Sequence, residues 1–146
     1  MKLKLLSTLI FIISSLSASS LSVESPYVRA TPPGVPNTAA FMTLKNNIDE
    51  DISIMSASSS VAEVLELHTH DMTNGVMSMY QIKKIDVEAK SATVLKPGGY
   101  HVMFFGLKNP LKEGQNVDLE LTLYNGEKIK FIMPVKKVMS GMSMGH

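Results

Sequence analysis

The 146-residue sequence contains no cysteine. That absence excludes disulfide staples, thiolate metal sites, the Cys ligand of a blue-copper electron carrier and any thiol-exchange chemistry of the chain's own. A basic excess is also missing, with 14 Lys and Arg against 13 Asp and Glu. Nothing therefore marks a nucleic-acid or anionic-membrane footprint. Helix signals are nearly absent, and no apolar run is long enough to span a bilayer comfortably. Neither a Ser/His/Asp grouping nor paired carboxylates stand out, so no enzyme activity is expected.

The first residues read as an export signal. Met1-Lys2-Leu3-Lys4 is a short basic segment, Leu5 to Leu16 is almost wholly apolar, and small residues follow in Ser17-Ala18-Ser19-Ser20. This three-part form predicts a cleaved signal peptide over residues 1–20, with the bond between Ala18 and Ser22. Losing Lys2 and Lys4 turns 14 basic residues into 12 against 13 acidic ones, a net charge near −1. No Cys stands there to take a lipid. The expected product is a free, soluble periplasmic monomer without stable membrane insertion. Its roughly 125 residues suit one domain with one core.

Residues 21–137 carry short β-rich runs separated by turn residues: Tyr27–Ala30, Ala39–Lys45, Ile52–Ala57, Val61–His70, Val76–Ile82, Ala92–Leu95, His101–Leu107, Val117–Tyr124 and Lys128–Val135. Thr31 to Asn37, with three prolines and a glycine, reads as an irregular loop. Many short strands with intervening turns predict an antiparallel β-sandwich or barrel. Two Asn-Gly turns test the register. With Asn74-Gly75 as a two-residue loop, Leu67 faces Ile82 and Thr69 faces Tyr80 on a mainly apolar face. The other, outward face carries Glu66, His68, His70, Met77, Met79 and Gln81. Around Asn125-Gly126 a two-residue loop would oppose Leu121 to Lys130. A bulged three-residue loop instead aligns Leu119, Leu121 and Leu123 with Met133, Phe131 and Ile129, which puts Met133 in the core.

Eleven methionines are present, and methionine is an ordinary gap-filler in cores, so placement decides their meaning. In the first hairpin Met79 lies opposite His70 and diagonal to His68, about 7–8 Å across. His101 and Met103, two apart on one strand after the Pro97-Gly98-Gly99 turn, point to one side. Imidazole with thioether is a soft ligand set. It suits Cu(I), suits Zn²⁺ poorly, and leaves oxygen-seeking Mg²⁺ and Ca²⁺ unserved. It also withstands oxidation better than thiolate outside the cytosol. Register alone does not separate His68 from His70, and slightly favours His70.

His68, ten residues, Met79, twenty-one residues, then His101-x-Met103 resembles the signature of the periplasmic PCu(A)C-type copper chaperones. The words Glu66-Leu67-His68-Thr69-His70, Gly75-Val76-Met77-Ser78-Met79 and Lys96-Pro97-Gly98-Gly99-Tyr100-His101-Val102-Met103-Phe104 are similar to that family as well. The resemblance runs from about Val28 to Val135. It departs at Tyr80, where the family usually has Arg or a similar residue. It implies a cupredoxin-like, Greek-key β-sandwich and one Cu(I) at an exposed site of His68, Met79, His101 and Met103. It selects His68 over His70. It also implies delivery to cytochrome c oxidase assembly, to the binuclear copper centre of the copper-bearing subunit or to another copper assembly factor. Copper storage or resistance without transfer is the alternative. The tail, residues 138–146, holds Met139, Met142, Met144 and His146 without a packing pattern. With His70, it offers a place where a second copper, Cu(II) or Cu(I), could bind.

Overall fold

A computed structural model of the chain describes residues 19–137. The leader and the Met/His tail, including Met139, Met142, Met144 and His146, lie outside the described residues. Ten strands follow one another: β1 (Leu21–Arg29), β2 (Thr38–Asn46), β3 (Ile52–Ser58), β4 (Ala62–Thr73), β5 (Val76–Gln81), β6 (Ile85–Val87), β7 (Ala92–Leu95), β8 (His101–Leu107), β9 (Asn116–Leu123) and β10 (Lys128–Lys136). Among the described residues none is helical. They hydrogen-bond in the order β5-β4-β8-β2-β1-β10-β9-β3-β6, with β7 on the remaining part of β2. Side chains from β2, β4 and β8 (Met42, Leu67, Phe104) and from β3, β9 and β10 (Ile52, Leu119, Met133) share one core cluster. The two halves of the path therefore face each other as a sandwich, as expected.

Alternation builds that core. In β9 the residues Val117, Leu119, Leu121 and Leu123 are buried while Asp118, Glu120 and Thr122 point away. Each such apolar side chain contributes about 1.5–3 kcal/mol on leaving water. One pair, β1 with β10, is parallel (Val28 opposite Val135), and it joins the two halves. The strand reading from sequence missed two pieces. β1 begins at Leu21, since Ser25-Pro26 interrupts the pattern only as a bulge between Glu24 and Tyr27. β6 has only three residues. It is fixed from outside, because the buried Asn46 side chain donates to the carbonyls of Val87 (3.0 Å) and Glu50 (2.7 Å).

The first hairpin has the expected register, with Thr69 opposite Tyr80, His70 opposite Met79 and His68 opposite Gln81. Asn74 (φ 53°) and Gly75 (φ 74°) are both left-handed, the requirement of a type I′ turn. The second hairpin differs from expectation. Its three-residue loop is Tyr124-Asn125-Gly126, closed by Leu123 N–H donating to the Glu127 carbonyl at 2.8 Å. Leu119 therefore faces Phe131, and Met133 faces Val117, two residues away from the predicted alignment. A slide of two keeps every side chain on its face, so Met133 is still fully buried.

Candidate metal centre

Three adjacent strands carry the candidate residues. His68 on β4 lies directly opposite His101 on β8, and Glu66 opposite Met103. His70 lies opposite Met79 on the edge strand β5. Opposed residues point to the same side of a sheet, so Glu66, His68, His70, Met79, His101 and Met103 share one face. The His101 ring centroid is 5.7 Å from that of His68 and 5.1 Å from that of His70. His70, Met79, His101 and Met103 line a cleft of about 330 Å³ walled also by Phe41 and Arg29. The guanidinium of Arg29 stacks over the Phe41 ring at 4.8 Å.

The outward face is exposed only in part, and the two histidines on it are buried, contrary to expectation. His101 is 2% exposed and His68 is 8% exposed, whereas Met79 is 46% exposed. His68 is covered by the neighbouring strand, with the Phe105 ring 5.8 Å away. Nitrogen lies inside and sulfur outside.

Hydrogen bonds fix which ring nitrogens are available. The Lys96-Pro97-Gly98-Gly99 turn is closed by Gly99 N–H donating to the Lys96 carbonyl at 2.9 Å, with Gly98 at φ 84°. Proline followed by a left-handed glycine is the type II pattern. The turn aims the Gly99 carbonyl at His101 Nδ1, 3.0 Å away, and at His70 Nδ1, 3.4 Å away. A carbonyl only accepts, so His101 Nδ1 carries the proton and Nε2 of the neutral ring presents its lone pair. That Nε2 is 2.9 Å from Met79 Sδ. The same logic holds for His68. Its Nε2 donates to a Glu66 carboxylate oxygen at 2.7 Å, so in the neutral ring Nδ1 is the lone-pair nitrogen. His68 Nδ1 is buried and has no hydrogen-bond partner. His101 Nε2 and the thioethers of Met79 and Met103 thus meet at the cleft, with His68 outside its lining but its ring 5.7 Å from that of His101. Among the described residues no group of three or more His, Asp and Glu could hold a metal, so an ion here draws on the thioethers.

Glu66 and the Gly99 carbonyl were not singled out from sequence. For Glu66 a signal existed, because two residues before His68 on a strand is the same face. Carboxylate support of this kind typically changes metal affinity 10–100-fold. Glu66→Ala is expected to weaken Cu(I) binding about 10–100-fold, with Glu66→Gln, which still offers an acceptor, closer to the wild type. Competition with a Cu(I) chelator checks this; equal losses would detach the effect from the hydrogen bond.

Burial pushes the His101 imidazole below its ordinary value; the Gly99 hydrogen bond opposes this, and His70, His68 and Arg29 reinforce it. A depressed histidine contributes stability that is complete above the unfolded value, about 6.5, and is lost as pH falls towards the folded one. Urea unfolding of the apo protein between about pH 8 and about pH 5.5 should show a steeper loss in the wild type than in His101→Ala. Parallel losses would contradict it.

Comparison with known proteins places the chain. The profile of the family described as "LpqE-like: Putative lipoprotein LpqE-like" matches residues 21–135. "Putative lipoprotein Lxx21020" of Leifsonia xyli subsp. xyli is 35% identical over 120 residues, 82% of this chain and 71% of that protein. The solution structure of CuI-DR1885 from Deinococcus radiodurans is 32% identical with a TM-score of 0.64, covering 88% of this chain and 86% of that one. The apo PCuAC domain from PmoF1 has a TM-score of 0.71 at 20% identity, covering 84% and 98%, and shares the fold. Among the described residues no helix is long and apolar enough to cross a membrane. Matched over nearly all of its described length, the chain belongs to the LpqE-like family, on the fold that PCuAC domains share.

Proposed function

We propose that this chain is a periplasmic copper metallochaperone that binds Cu(I) through His68, Met79, His101 and Met103 and hands it to cytochrome c oxidase assembly. The observation that carries the reading is the 2.9 Å contact of His101 Nε2 with Met79 Sδ, with the His68 ring 5.7 Å from that of His101 and its buried Nδ1 partnerless. Without an ion, two lone-pair donors face each other and a third is desolvated with no compensation, which is costly. A soft monovalent cation removes both costs. The Cu(I) form recorded for the Deinococcus relative supports the choice of metal.

The chain's own residues divide the work. Glu66 and the Gly99 carbonyl hold the imidazoles in the ligating tautomer. Neutral donors keep the site selective for a soft ion without the grip of thiolate. Met79, half-exposed on the edge strand, is the donor that an acceptor protein reaches first and displaces by ligand exchange. The acceptor fitting this chemistry is a better-furnished copper centre, such as the binuclear one of the oxidase.

X-ray absorption of the copper-loaded protein tests the site by counting donors. Two sulfurs and two nitrogens are expected; one sulfur or none would mean another ligand set. Burial of both imidazoles is the observation favouring a second reading, copper storage or resistance without transfer. Mixing the loaded chain with an apo oxidase-subunit domain separates them, since storage predicts that copper stays.

A further inference from the structure

The hairpin of β4 and β5 extends beyond the candidate centre and carries two methionines whose exposure packing does not explain. Met72 is 60% exposed and Met77 is 55% exposed. They are register partners, one step from the turn beyond His70 and Met79. Strand alternation puts His68, His70 and Met72 on one face of β4, and Met77 and Met79 on the same face of β5. Directly opposed Cβ atoms are about 4.5–5.5 Å apart, so two flexible thioethers there can converge on one ion. His70 is the diagonal neighbour of Met77, about 7–8 Å away, and its Nδ1 is turned to the Gly99 carbonyl at 3.4 Å. A proton there leaves His70 Nε2 as a third neutral donor. The opposite face of the hairpin tip carries Asp71, Thr73, Val76 and Ser78. At the tip, oxygen side chains are thus segregated from sulfur, and the Met72 and Met77 pair itself offers nothing to Mg²⁺ or Ca²⁺.

We propose that Met72 and Met77, with His70, form a second soft-metal site for Cu(I), outward of the first along the same hairpin face. The inference rests on the proposed copper function of the inner site, and the experiment reads the two sites apart. Full-length protein with labelled methionine methyls is titrated with Ag(I), a redox-inert soft monovalent probe, and followed by NMR. The methyls of Met79 and Met103 are expected to shift with the first equivalent, and those of Met72 and Met77 with the second. In the Met72→Leu/Met77→Leu variant, changed only at exposed positions, the first-equivalent shifts of Met79 and Met103 should persist while the second equivalent loses its place on the hairpin.

Unmoved Met72 and Met77 methyls at two equivalents, or a second equivalent taken only by Met139, Met142 and Met144, would overturn the outer site. Unmoved Met79 and Met103 methyls would instead count against the inner one. Shifts at Met72 and Met77 alone would leave the outer site standing by itself.

Discussion

Replacing His101 with alanine is expected to weaken Cu(I) binding by at least about 100-fold, the upper end of what a supporting partner alone is worth. His68→Ala is expected to match it. Both side chains are buried, and each has a ring nitrogen with no hydrogen-bonding proton donor or acceptor of its own beyond the Met79 contact of His101. His70→Ala should cost the first equivalent of copper less than about tenfold, because His70 is held only by a long 3.4 Å contact and is half-exposed. Chelator competition on the three variants decides the order. A larger loss in His70→Ala than in His68→Ala would reassign the inner nitrogen donor, and would do so in the direction that hairpin register by itself favoured.

The second large effect is on folding. Phe104 is fully buried on β8, paired with Thr38 of β2 on one side and Leu65 of β4 on the other. Phe104→Ala should lower stability by about 3–5 kcal/mol through lost transfer energy and an unfilled cavity. Urea denaturation of the apo protein measures it without the added stabilisation that bound copper gives. A loss below about 1 kcal/mol would mean that the core closes over the gap. Phe104 follows Met103, and alternation sends the first into the core and the second to the cleft. Loosening β8 at Phe104 therefore also disturbs a candidate donor, so copper affinity should fall with stability in this variant, although Phe104 does not line the cleft.

How much of this was legible in the sequence depended on whether local chemistry left one solution. Asn74-Gly75 did, because a two-residue type I′ loop admits one register, and the pairing of His70 with Met79 followed. Asn125-Gly126 did not. A three-residue loop can be Tyr124–Gly126 or Asn125–Glu127, and both leave the same leucines inward, so hydrophobic pattern cannot choose. The left-handed Gly126 at the last loop position chooses. Burial of His68 was misjudged for a related reason. Alternation tells which side of a strand a residue occupies, and says nothing of what the next strand lays over it, here Phe105. The parallel β1 and β10 pair was likewise beyond reach, since it joins residues more than a hundred positions apart.

The three strands of the centre are not equally anchored. β4 and β8 have a neighbour on each side, so His68, His101 and Met103 are fixed from both flanks, while β5 hangs from β4 alone and carries only Met79. Fraying of that border strand would unseat one of the four proposed donors and leave the other three in register. The molecule thus has a detachable corner: one proposed donor can leave without anything beneath unfolding, and amide exchange along residues 76–81 is where that would first be seen.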